Sequence, residues 1–244
     1  MFRPDAEHPR EQSRDAVRNV VDAVAKRVRQ VVRDGHIPVI LGGDCTITIG
    51  VLAGLVPTYP RLGMIYLDGD LDLNTPDVTP SGFFDGMVLA HIIGDGVASL
   101  SHVGPQFPLI PEERIAVFGF NDAAGGVDPY EIRRLARSAL RSFPVDDVRL
   151  DPVGSAVRAL TTLSPAIDHF IVHFDVDVID ERDMPAVDVR HANSLSIDEV
   201  TEVLRVFVRS PKWTGLVITE FNAALDASGI ATARLVSALS SVFA

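Results

Sequence analysis

Two short acidic clusters, Asp68-Gly69-Asp70-Leu71-Asp72 and Asp175-Val176-Asp177-Val178-Ile179-Asp180, each follow directly on an apolar run, at residues 62–67 and 170–174. In an extended chain residues two apart point to the same side, so Asp68, Asp70 and Asp72 are expected to converge, as are Asp175 and Asp177. A lone aspartate after a strand is usually a helix cap or turn former, and Asp180 is given that role. Two D-x-D clusters in equivalent positions ask for another explanation. Carboxylates gathered in a partly buried cleft are costly unless cations neutralise them. Hard divalent ions such as Mg²⁺ or Mn²⁺ suit an oxygen-rich site, and two ions bridged by shared carboxylates would account for the number of ligands. A water held between two such ions becomes a hydroxide-like nucleophile, suited to hydrolysis of an unreactive C–N bond.

For the clusters to meet, the strands before them must lie in one sheet, because ligands of open α/β sheets bind beyond the carboxyl ends of the strands. Apolar runs at 37–41, 62–67, 115–120, 170–174 and 216–221 read as strands, with 37–41 a buried one that breaks into a loop at Gly42-Gly43-Asp44. Valines at 17, 20, 21, 24, 28, 31 and 32 recur at helical spacing through 13–34, and Gly35 supplies a stop. Segments 86–93, 130–140 and 196–208 also read as helical, the last opened by a capping box of Ser196 and Glu199. Stretches 75–82 and 103–113, rich in Pro and Gly, read as loops. Strands alternating with helices predict a three-layer αβα fold on a mostly parallel, doubly wound sheet. The length of 244 residues points to a single domain.

Composition narrows the function classes. Hydrophobic residues make up 47% and charged residues 23%, as expected of a folded chain. Acidic residues outnumber basic ones 33 to 22, for a net charge of −11, and no basic stripe is present, so nucleic acid is not an expected partner. No apolar stretch approaches the ~18 residues of a membrane span, and the first residues lack a signal-peptide core, so a cytoplasmic location and no membrane partner are expected. The single cysteine, Cys45, excludes an internal disulfide framework.

The motifs, taken in order, resemble those of the ureohydrolase superfamily of arginases, agmatinases and formiminoglutamases. That family carries Gly-Gly-Asp-His-Ser, Asp-Ala-His-x-Asp with Asn-Thr-Pro, a Gly-Met segment, Phe-Asp-x-Asp-x-x-Asp and a late Glu-x-Asn. The chain has Gly42-Gly43-Asp44-Cys45-Thr46, then Asp68-Gly69-Asp70-Leu71-Asp72-Leu73-Asn74-Thr75-Pro76, then Asp85-Gly86-Met87. Phe174-Asp175-Val176-Asp177-Val178-Ile179-Asp180 and Glu220-Phe221-Asn222 complete the series. The resemblance implies an arginase-like fold, one or two Mn²⁺ ions and a trimer or hexamer. It also implies hydrolysis of a small cationic guanidino or amidino compound, releasing urea or a urea analogue. By the same resemblance Asp68, Asp72, Asp175 and Asp177 fall on manganese ligands, and Glu220 on the acid that faces the guanidinium. Cys45 and Asp70 stand where the family has ligating histidines and complete the expected metal set. Asp85 stands where arginases have a proton-shuttling histidine. His173 takes a place usually held by a small residue. Family members also begin with a strand, whereas only about a dozen residues precede the first long helix here.

Exchanging neutral imidazole for carboxylate adds negative charge around a metal and weakens its Lewis acidity. Asp85, Glu220 and Asp70 are the candidate catalytic groups. Asp85 can act as a general base if its pKa is raised, or can be a solvated loop carboxylate. Cys45 can be a soft ligand as thiolate or a small buried filler. The altered positions leave a second reading open, a catalytically impaired relative that binds one metal or none and has a binding or structural role. A third, a phosphatase of the haloacid dehalogenase type built on Asp175 and Asp177, fits poorly: the pair lies late in the chain and only Lys212 follows it.

Overall fold

A computed structural model describes residues 6–122 and 127–244. Its strands are β1 (Val39–Leu41), β2 (Leu62–Leu67), β3 (Ile115–Phe118), β4 (Arg141–Phe143), β5 (His169–Asp175) and β6 (Trp213–Thr219). They form one six-stranded sheet in the order β1-β6-β5-β2-β3-β4, every pairing parallel. The helices are α1 (Arg14–Arg33), α2 (Ile47–Leu55), α3 (Val88–Ile92), α4 (Ala98–Ser101), α5 (Pro129–Leu135), α6 (Val145–Leu150), α7 (Pro152–Leu163), α8 (Ile197–Val208) and α9 (Ile230–Val242).

Alternation along the strands builds a core on each face. Met64, Tyr66, Val117, Ile171 and Val217 join one core with Val21, Val28 and Leu52 from α1 and α2. Ile65, Leu67, Phe118, Val172, Phe174 and Ile218 join the other with Ala156, Leu204, Phe207 and Leu235 from α7, α8 and α9. Both faces being covered, the central strands read as continuous apolar runs. The three-layer expectation holds.

The connections place the site. From β2 the chain winds outward through β3 to β4, and from β5 it winds the opposite way to β6, yet β2 and β5 are neighbours paired from Leu62↔His169 to Leu67↔Phe174. A crevice opens beyond the carboxyl ends of adjacent strands whose connections diverge. Both acidic clusters sit there.

Several expectations are corrected. Residues 37–41 are not a buried strand: β1 pairs only with β6 at the sheet edge, leaving Val39 52% and Leu41 72% exposed. Segment 86–93 is a 3₁₀ turn, Asp85–Met87, followed by α3, and segment 130–140 ends its helix at Leu135 before the chain turns into β4. β6 begins before the apolar run 216–221 and stops at Thr219, which frees Glu220 from the ladder. The capping box forms as expected, Ser196 and Glu199 bonding reciprocally at the start of α8. Elements α2, α4, β4, α6, α7 and α9 were not anticipated. Among the described residues the first element is α1, with no strand before it.

Helix α2 is buried along its whole length, and its glycines let α1 approach closely. A Cβ at Gly50 would lie 2.5 Å from the Val21 carbonyl oxygen, and one at Gly54 2.8 Å from that of Ala25. Gly50→Ala therefore forces the helices apart and should cost about 1–3 kcal/mol, seen as a lower urea midpoint. An unchanged midpoint would mean that this contact is not tightly packed.

Candidate metal centre

Asp68 is the first residue beyond β2, and its Oδ1 accepts the Asp70 N–H at 2.7 Å. That bond turns the chain, so the alternation of an extended strand stops at Asp68. Asp72 then adopts φ 50, in the left-handed region that non-glycine residues seldom occupy, and its Oδ2 accepts a hydrogen bond from the Tyr66 hydroxyl. The second cluster bends similarly. Asp175 ends β5, and its Oδ1 accepts the Asp177 N–H at 2.9 Å at the start of the 3₁₀ turn Val176–Val178. The aspartates converge as expected, but by two side-chain-capped turns rather than by strand alternation.

Together they border a cavity of about 560 Å³. Every residue singled out from the sequence as a site residue lines it: Cys45, Asp68, Asp70, Asp72, Asp85, Asp175, Asp177 and Glu220. Asp44, Glu131 and Asp188 line it as well and were not anticipated. Asp180 keeps its turn role, held by Arg182 (Nε to Oδ1, 2.6 Å) and accepting the Ser194 N–H.

Cys45 is buried, and its thiol donates to Asp175 Oδ2 at 2.7 Å while its N–H donates to Asp85 Oδ1 at 3.1 Å. Burial pushes the thiol pKa well up, and the negative charges of Asp175 and Asp68 push it further. Two buried histidines lie against residues that line the cavity without lining it themselves. His173 is fully buried, its ring stacked on Tyr66 with centroids 4.2 Å apart, and its Nδ1 lies 2.8 Å from Thr48 Oγ1. Its Nε2 thereby faces Cys45 Sγ and Asp68 Oδ2, each at 3.5 Å. Burial lowers its pKa to about 3, so the ring is neutral. His191, in the loop after β5, places Nε2 3.2 Å from Asp70 Oδ2 and 3.7 Å from Asp177 Oδ2. Sequence reasoning missed it, because no motif surrounds it and the contact with Asp70 spans 121 positions.

Electrostatics show what the cavity lacks. The pKa values of Asp68, Asp72 and Asp175 are raised well above the usual carboxylate range, first by burial and then by neighbouring carboxylates. Asp85 and Glu220 are raised too, by burial first and then, for Glu220, by the charge of Asp85. Asp68 Oδ2 and Glu220 Oε1 are buried without a hydrogen-bond partner among the described residues. An orphaned buried carboxylate oxygen normally signals a missing cation or donor. Ligand atoms of Cys45, Asp68, His173 and Asp175 lie within 4.8 Å of one another, as do those of Asp70, Asp177 and His191. This mixture of oxygen, nitrogen and sulfur donors fits divalent metal ions.

The arginase-family model matches residues 5–243. The chain belongs to the arginase family. The arginase of Bacillus caldovelox is 29% identical over 229 residues, covering 93% of this chain and 75% of its own. That of Bacillus subtilis (strain 168) is 30% identical over 206 residues, covering 84% of this chain and 68% of its own. The crystal structure of arginase from Bacillus cereus matches with a TM-score of 0.90 at 27% identity, covering 96% of this chain and 80% of that one. Cys45, Asp70 and Asp85, the three residues that depart from the motifs quoted for the resemblance, line the one cavity beyond β2 and β5.

These shifts give the metal-free protein a definite pH dependence. Glu131, raised to about 7 mainly by burial, holds its proton longer folded than unfolded, so its stabilising effect fades as pH climbs from 4.5. Burial opposes charge on His191, but hydrogen bonds and charge from Asp177 and Asp70 outweigh it and raise the pKa to about 10. Its contribution is complete below 6.5 and lost towards 10. His173, lowered to about 3, acts oppositely but only below 6.5. In chelator, therefore, the melting temperature should fall as pH rises from 6.5 towards 10, and divalent metal should flatten the slope. A melting temperature that climbs over that window in chelator would show that the carboxylates are not gathered as described.

Proposed function

We propose that the chain is a metal-dependent hydrolase of a linear C–N bond in a small cationic guanidino or amidino compound, releasing urea or a urea analogue. The observation that carries this reading is the pair of orphaned oxygens, Asp68 Oδ2 and Glu220 Oε1, in one cavity. The first lies among metal-type donors. The second lies beside Asp85, where a cation of the substrate can meet it.

Asp68, Asp72, Asp175 and Asp177, with Cys45 and Asp70, are the residues that would hold Mn²⁺. When bound, Mn²⁺ supplies Lewis acidity and a nucleophilic water. The other groups bind the substrate and move its protons. Glu220 sits at φ 63, and this strained backbone turns its carboxylate out of the β6 ladder towards the cavity. A guanidinium there would gain charge-assisted hydrogen bonds that an uncharged amide would not. Asp85 has a pKa raised towards neutrality, as general acid–base work requires, and its carboxylate is anchored by the Cys45 N–H. A single arginase-like domain across the whole chain and a cytoplasmic location accompany this reading, with a trimer or hexamer by family likeness. The thiol and carboxylate at positions 45 and 70 favour one competing reading, a relative with weakened Lewis acidity that binds metal without turnover.

Protein loaded with Mn²⁺ and offered a panel of cationic guanidines should release urea. Asp175→Ala should abolish both metal content and activity. Glu220→Gln should keep its metal yet lose on the order of 10- to 100-fold in kcat/KM. Metal held without urea from any substrate would establish the impaired relative instead. Asp175-dependent phosphate release from a phosphomonoester would exclude the ureohydrolase reading.

A further inference from the structure

The ring of His191 occupies space that almost any other residue at position 69 would fill. A Cβ built on Gly69 would lie 2.4 Å from His191 Cδ2 and 2.7 Å from its Nε2, distances no real Cβ adopts. The ring is only 7% exposed and faces Asp70 and Asp177, and the Gly69 N–H donates to Asp177 Oδ1 at 3.1 Å. Gly69, Asp70 and His191 therefore form one steric unit. Glycine stands where the family motif has alanine, a carboxylate where it has histidine, and an imidazole 121 positions away in sequence reaches that carboxylate.

A parallel arrangement holds at the other altered position. Cys45 replaces a motif histidine, and His173 approaches from β5 with Nε2 3.5 Å from the thiol sulfur and 3.5 Å from Asp68 Oδ2. Thr48 at Nδ1 and the stacked Tyr66 ring fix its orientation, the role that partners behind a metal-binding histidine perform. The unpartnered Asp68 Oδ2 lies in this group. Each imidazole absent from the motif thus has a counterpart from another part of the fold within reach of the same carboxylates.

We propose that this chain retains two divalent-metal sites by relocating their imidazoles. His173 completes the site of Cys45, Asp68 and Asp175, and His191 completes the site of Asp70 and Asp177. The proposal rests on the metal-dependent reading above and deepens it by naming ligands that the family motifs do not contain. Asp70 is then a compensated exchange. Gly69 has a definite purpose, to clear the path for the His191 ring.

The test counts manganese per folded chain and needs no activity. After loading and desalting, the parent should hold two ions, and His191→Ala and Gly69→Ala one each, the alanine Cβ expelling the ring. The parent labelled with ¹⁵N-histidine supplies a measurement that no folding defect can cloud: electron spin-echo modulation of bound Mn²⁺ should change from a ¹⁴N to a ¹⁵N pattern. Two ions in the parent and still two in His191→Ala, or no histidine nitrogen coupled to manganese in the parent, would overturn the relocation while leaving a carboxylate metal centre standing. A parent that binds no manganese at all would instead overturn the metal-dependent reading itself, and the relocation with it.

Discussion

Carboxylates crowded beyond the ends of β2 and β5 repel one another, and the architecture around them is arranged to keep them there nonetheless. A pair of such charges 4 Å apart costs about 4 kcal/mol at an effective dielectric of ~20, so several pairs together rival the stability of an ordinary domain. Backbone donors offset part of this: the N–H groups of Asp70, Asp177 and Gly69 each satisfy one carboxylate oxygen. The Asp68 Oδ2 left over is what a cation would complete. Raised pKa values, set first by burial and then by this repulsion, and the thiol donating to Asp175 accompany the crowding.

Holding these charges falls to the strongest part of the fold. β2 and β5 are central, paired residue for residue over six positions, with side chains buried on both faces. Alternate residues tie each strand into opposite cores, so neither cluster can retreat without opening one of them. Tyr66 links the two levels. Its ring belongs to the α1–α2 core and stacks on His173, while its hydroxyl reaches Asp72. Mixed aromatic and polar contacts of this kind transmit the rigidity of the core to side chains that must keep a fixed spacing.

What could be read from sequence was what is local. An apolar run followed by D-x-D places charges at a strand end whatever the rest of the chain does, and the order of the motifs located the crevice. Strand ends and helices whose signals compete locally came through less well. β1 is apolar but exposed because its place at the edge is set by a crossover, which periodicity does not encode. Glu220 lies one residue beyond β6, and only its left-handed backbone, invisible in the apolar run 216–221, turns it towards the cavity. His191 was the least legible, since its contact with Asp70 depends on tertiary closure over a long separation. Gly69 was the trace it left in the sequence, because a small residue beside a charged cluster implies that something else needs the space.

Single substitutions are therefore a poor guide to what such a site can do. Position 70 taken alone adds a negative charge and weakens whatever metal sits beside it. Taken with Gly69 and His191, an aspartate at position 70 still stands 3.2 Å from an imidazole. The added charge is not erased, however. Asp68, Asp70, Asp72, Asp175 and Asp177 together exceed two divalent ions by one negative charge before Glu220 or a thiolate is counted. Such a cavity favours a cation in the remaining space and repels anions, which bears on substrate charge more directly than on rate. A guanidinium brings the balance back towards neutrality where Glu220 faces the cavity, and it leaves the carboxylate ends of β2 and β5 to their own counter-ions.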